Sequence, residues 1–160
     1  MKAKKITTVL VALDYNPTSQ KVAEAGFALA QSMGAECILV HVISDLIYYT
    51  TPGYTSIMGF DGFPETGLWA SDTIDELKKG TLNFLDKTRV HLGAPTLQTV
   101  IAEGDVAESV LKTATEFNAD VIVIGSHSQK WLESIVIGSV AEEILRQTPI
   151  SLFIVPTKKK

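Results

Sequence analysis

Hydrophobic positions in this chain alternate between two periods. Five short apolar, β-branched stretches predict strands: Ile6–Leu13, Glu36–Ile43, Leu97–Ala102, Val121–Gly125 and Ser151–Val155. In three of them the apolar residues run on without interruption, as VLVAL, VIVIG and LFIVP. Strands covered by other elements on both faces read this way, whereas half-exposed strands alternate.

The segments between them follow a helical period. Asn16-Pro17-Thr18 opens the first, with Asn16 or Thr18 as N-cap and Pro17 suited to a first turn. Val22, Gly26, Ala30 and Met33 then fall on one face, and Gly34 supplies the stop. The spacing predicts a second helix from Asp72, with Ile74, Leu77, Thr81, Leu85 and Thr88 inward and Gly93 as its end. A third follows Gly104 and turns Val106, Val110, Ala114 and Phe117 inward. A fourth runs from about Ser139 to Gln147, before Pro149. Strand and helix alternate throughout, which predicts a parallel α/β sheet with right-handed crossovers.

One stretch breaks this rhythm. Residues 45–68 are rich in glycine and aromatic side chains, including the pair Tyr48-Tyr49, with no clear period. A connection of that length is expected to be a surface excursion, a lid or a partner surface. The rest, including a short basic tail over 157–160, is expected to belong to a single domain of 160 residues.

Composition narrows the function classes. A formal net charge of −4 argues against nucleic acid as the main partner, because phosphate neutralisation calls for a basic face. The single cysteine, Cys37, excludes an internal disulfide and a thiolate zinc cluster, and its apolar setting reads as core. Lys2, Lys4 and Lys5 precede an apolar run, as in a signal peptide. That run is too short and meets Asp14, so a buried strand and a cytoplasmic protein are expected. No apolar stretch approaches the roughly 18 residues of a membrane span.

In an open α/β sheet, ligands sit beyond the carboxyl ends of the strands. Asp14, His41, Ser44, Gly104-Asp105 and Gly125-Ser126-His127-Ser128 all fall at such ends. His41, inside an apolar strand, reads as a hydrogen-bonded core residue, and His127 as a loop histidine. After the fourth strand the chain carries Gly125-x-x-Ser128, nine residues (129–137), then Gly138-Ser139. Glycine turns followed by a helix start can gather backbone N–H groups around an anion.

These residues make the chain resemble the universal stress protein family, whose ATP-binding branch carries Gly-x-x-Gly, nine residues, then Gly-Ser or Gly-Thr. Asp14, Leu39-Val40-His41-Val42, the Gly104 turn and the ending Ile154-Val155-Pro156 extend the similarity over residues 5–156. The resemblance implies an adenine nucleotide alpha hydrolase-like fold. This is an open, doubly wound, five-stranded parallel sheet of order 3-2-1-4-5 with helices on both faces. It implies ATP as ligand, with Mg2+ entering on the phosphates. Asp14 would lie near adenine and ribose, and the Val42 backbone would read the adenine edge. Gly125 would admit ribose and phosphate, and His127 stands where relatives often have a basic residue. Gly138, Ser139 and Val140 would hold phosphates.

The departure from the family pattern is Ser128, where glycine is usual. If that position needs φ > 0, serine costs on the order of 1–2 kcal/mol, though its hydroxyl could bond a phosphate. Two readings therefore stand: a nucleotide-binding regulatory protein of the stress response, or a dimeric interaction module that has lost the nucleotide. Asp14 could equally cap the first helix, and Ser139-x-x-Glu142 matches a capping box. The loops and acidic or histidine pairs of related phosphate-handling enzymes are missing, and no nucleophile–base spacing replaces them. At most slow ATP hydrolysis is expected. The family's strand order also makes Ser151–Val155 an edge strand, which implies a homodimer through that edge, with a further protein partner of unknown identity.

Overall fold

The computed structural model describes residues 2–14, 17–44, 71–126 and 138–157. The element order is β1 (Thr8–Ala12), α1 (Ser19–Met33), β2 (Glu36–Ile43), α2 (Ser71–His91), β3 (Gln98–Glu103), α3 (Val106–Glu116), β4 (Val121–Gly125), α4 (Ser139–Gln147) and β5 (Ser151–Val155). The strands form one sheet in the order β3-β2-β1-β4-β5, with every neighbouring pair parallel. The excursion at 45–68 and the tail at 158–160 lie outside the described residues.

The strand pleat sorts the core into two layers. Val9, Val11, Cys37, Leu39, Val121 and Val123 pack on the face covered by α1 and α2. Leu10, Ile38, Val40, Ile122 and Ile124 pack on the face covered by α3 and α4. Connections that step in opposite directions along a sheet must lie on opposite faces if their hand is constant. The reversal falls between β1 and β4, and there the loops after the two strands part company.

Local chemistry sets the element ends. Gly34 adopts φ 61°, and its neighbourhood returns the N–H of Ala35 to the carbonyl of Ala30 at 2.9 Å, a left-handed helix stop. Gly104, at φ 118°, turns the chain from β3 into α3. Asp105 then caps α3, its carboxylate accepting from the Glu108 N–H at 3.0 Å. At the opposite end of the sheet, Asp120 accepts from the N–H groups of Thr7 and Thr8, the Thr7 hydroxyl and Lys4 Nζ. Those donors hold its carboxyl far below the usual carboxylate range.

Several sequence expectations change. β1 is shorter than Ile6–Leu13, and β3 is shifted one residue on from Leu97–Ala102. Met33 is 38% exposed rather than inward, because the buried stripe of α1 is Ser19, Val22, Ala23, Gly26 and Ala30. Thr18 occupies the N-cap of α1 but makes no side-chain capping bond, and Asn16 lies outside the described residues. α2 begins at Ser71, and Thr88 is half-buried while Leu77, Thr81 and Leu85 are buried; the Ile74 side chain falls outside the description. Val106 and Phe117 are half-buried, leaving Val110 and Ala114 as the core of α3.

Candidate functional site

The sheet has a notch at the end of β1. Alignment of Ala12 with Val40 sets Asp14 level with Val42, and alignment of Val11 with Val123 sets Leu13 level with Gly125. β1 ends at Ala12, whereas β2 continues to Ile43 and β4 to Gly125. Past the end of β1 the Leu13 N–H still donates to the Val40 carbonyl on the β2 side, at 2.9 Å. Backbone groups alternate sides along a strand. With Val40 facing β1 and the Ile43 carbonyl accepting from Gly104 N–H on the other side at 3.1 Å, the Val42 backbone turns towards the β1 side. The Ser126 N–H donates to Val155 on the β5 side at 2.9 Å, so the Gly125 backbone also turns towards β1. Two peptide edges thus flank the place where β1 stops, with exposed Asp14 just beyond its end. The Val42 side chain is buried on the α3 side.

On the β4 side, Ser126 gathers three segments. Besides the bond to Val155, its carbonyl accepts from the Gly138 N–H at 3.3 Å and its Oγ accepts from the Thr157 N–H at 3.1 Å. Sequence reasoning marked Ser126 only as a polar residue at a strand end. Its partners lie 12 or more positions away, so no local pattern could expose them. Through Ser126 the start of α4 is drawn back to the end of β4, while residues 127–137, including His127, Ser128 and Trp131, lie outside the described residues.

The first turn of α4 differs from expectation in two respects. The N-cap is Gly138, at φ −59° and ψ 154°, and no side-chain capping bond is made. Ser139 is already the first helical residue, and Glu142 pairs with Arg146 at 2.6 Å, so the capping box does not form. The first intrahelical bond runs from Glu142 N–H to Gly138 carbonyl at 2.9 Å. The N–H groups of Ser139, Val140 and Ala141 precede it and have no acceptor within the helix. The Gly138 N–H, by contrast, is engaged by Ser126. Any anion at this helix start would therefore meet the amides of 139–141 rather than that of Gly138. Gly138 is buried and its backbone angles suit any residue, so a need for glycine there would be one of space.

Titratable groups nearby are structural. His41 is 3% exposed, its Nδ1–H donates to the Leu13 carbonyl at 2.8 Å, and its ring meets Phe84 edge-on at 6.2 Å. Burial pushes its pKa down, against the pull of the Leu13 carbonyl and the Asp14 charge. The imidazole is a neutral pin that fixes the end of β1 against β2. At the other end of β2, burial pushes the Cys37 thiol up to about 11, which leaves no nucleophile there. No cluster of His, Cys, Asp or Glu suited to a metal occurs among the described residues. No helix among them is long and apolar enough to cross a membrane.

Parallel strands, helices on both faces and a notch where the crossover direction reverses define an open, doubly wound α/β protein. The universal stress protein family model matches residues 5–156, and the chain belongs to that family. It is 28% identical to universal stress protein YxiE of Bacillus subtilis, over 92% of this chain and 97% of that protein. Among solved structures it is similar to UspA of Lactobacillus plantarum (TM-score 0.66, 19% identity, covering 96% of this chain and 99% of that one). A universal stress protein in complex with cAMP is also similar (TM-score 0.61, 17% identity, covering 97% and 100%).

Proposed function

We propose that this universal stress protein binds an adenine nucleotide in the notch beyond β1, with ATP the expected ligand, and acts as a regulatory protein of the cytoplasmic stress response. The observation that carries this is the pair of peptide edges, Val42 and Gly125, facing one gap beside the start of α4. A peptide edge can pair with a base as it pairs with a strand, and unpaired first-turn amides favour phosphate. Asp14, exposed just beyond the end of β1, would offer its carboxylate to the ribose. Ser139, Val140 and Ala141 would supply amides to phosphate, with the exposed Ser139 hydroxyl beside them. The complex of a related protein with cAMP supports an adenine ligand for this fold. Mg2+ would be held by phosphate oxygens and water, because the described residues offer no carboxylate cluster for it.

Isothermal titration with Mg-ATP tests the proposal, and absence of heat at high protein concentration overturns it. Ser128→Gly adds a second arm: it should tighten ATP binding about tenfold if serine costs roughly 1.4 kcal/mol at that position. The second reading is a dimeric interaction module without nucleotide. Two features favour it, Ser128 in place of glycine and a Gly138 amide already taken by Ser126. Mass spectrometry of small molecules carried through native purification separates the two readings.

A further inference from the structure

Ser126 has an unusual set of partners for a loop residue, since each of its three polar groups binds a different residue outside its own element. Its N–H holds the end of β5 at Val155, its hydroxyl oxygen holds Thr157 beyond β5, and its carbonyl holds Gly138 at the start of α4. Thr157 is only 7% exposed although β5 has already ended two residues before it. The chain after β5 is therefore packed against the base of the loop rather than released to solvent. A serine hydroxyl suits this junction because it can accept the Thr157 amide, which would otherwise be buried without a partner.

We infer that Ser126 is a positioning residue that joins the anion-facing start of α4 to the chain following edge strand β5, so that a ligand at one is felt at the other. The link passes through a single residue, from its backbone carbonyl to its side-chain hydroxyl. Movement of Gly138 towards or away from a phosphate shifts the Ser126 carbonyl, and the Ser126 hydroxyl then carries the shift to Thr157. Coupling between two sites is reciprocal, so a partner that orders the chain after β5 would also change affinity at the start of α4. The ligand half of this inference rests on the nucleotide reading above. The mechanical half does not.

Amide hydrogen exchange on the full chain tests both halves, using Ser126→Ala and, as the conservative variant, Ser126→Thr. Without nucleotide, Ser126→Ala should speed exchange at Thr157, which loses its acceptor. It should also speed exchange at Gly138, which keeps its acceptor, by about fivefold, the equivalent of one ordinary hydrogen bond. Ser126→Thr should restore both. Faster exchange at Thr157 alone, or equal acceleration at amides throughout the sheet, overturns the link.

With Mg-ATP present, slower exchange at Thr157 in the natural chain but not in Ser126→Ala is the expected result. Ser126→Ala should also weaken Mg-ATP about fivefold while leaving adenosine binding unchanged, because only the phosphates meet α4. ATP that binds without altering Thr157 overturns the coupling. If ATP does not bind at all, the nucleotide reading fails, and the Gly138 measurement without ligand still decides the link.

Discussion

His41 illustrates how one buried residue can make stability depend on pH. It reads in the sequence as a core residue, and its neighbours on β2 make that legible; its bond to Leu13 is not, because it joins two strands. Burial lowers its pKa below the ordinary value of about 6.5. As pH falls through that value the unfolded chain takes up a proton before the folded one does. The unfolded state then binds more protons, so stability is full above about 6.5 and declines below it. The limiting slope is about 1.4 kcal/mol per pH unit. His41→Gln keeps an N–H donor for Leu13 and removes the titration. Urea unfolding between pH 5 and 7 should give a visibly flatter stability profile for the variant, and an unchanged slope would assign the effect elsewhere. Ser126 marks the limit of legibility at this scale: a serine after a strand carries no local sign of the distant amides it binds.

Individual elements were easiest to read where an apolar run or helical face lay between clear breakers, as in β2, β4, α4 and β5, whose observed limits match the expected ones. Ends were harder. The Ser139-x-x-Glu142 pattern suggested a cap, but Gly138 holds the N-cap position, and Glu142 turns to Arg146 instead. Gly26 was legible as an inward position but not as a spacing requirement. A Cβ there would lie 2.5 Å from Val11 Cγ2, 3.1 Å from Val11 Cγ1 and 3.3 Å from Val123 Cγ1. Turning the Val11 side chain brings no relief, since both its methyls are close and β-branched side chains are stiff. Gly26→Ala gains helix propensity worth at most about 1 kcal/mol. It should nevertheless destabilise the protein by about 1–2 kcal/mol, because α1 must lift off β1 and β4. A higher urea midpoint for the variant would show that α1 has room to spare.

The whole molecule is a sheet with two edges of different character. Phe153 on β5 is 42% exposed, with Leu152 and Ile154 half-buried beside it. An open apolar edge invites pairing, and a second copy meeting it across a two-fold axis would close it. Such pairing predicts that Phe153→Lys yields monomers in sedimentation; an undisturbed dimer would remove β5 from the interface. Strand order was legible only through the family resemblance, since apolar runs identify strands but do not order them. The notch was legible even less, because it depends on β1 stopping short of its neighbours. The position of β1 also bears on synthesis. This strand is made first and lies at the centre, where Val9 pairs with Val121 on one side. Until β4 has left the ribosome, the β4-facing edge of β1 stays unpaired, so the nascent chain is exposed to mispairing while the intervening elements are made.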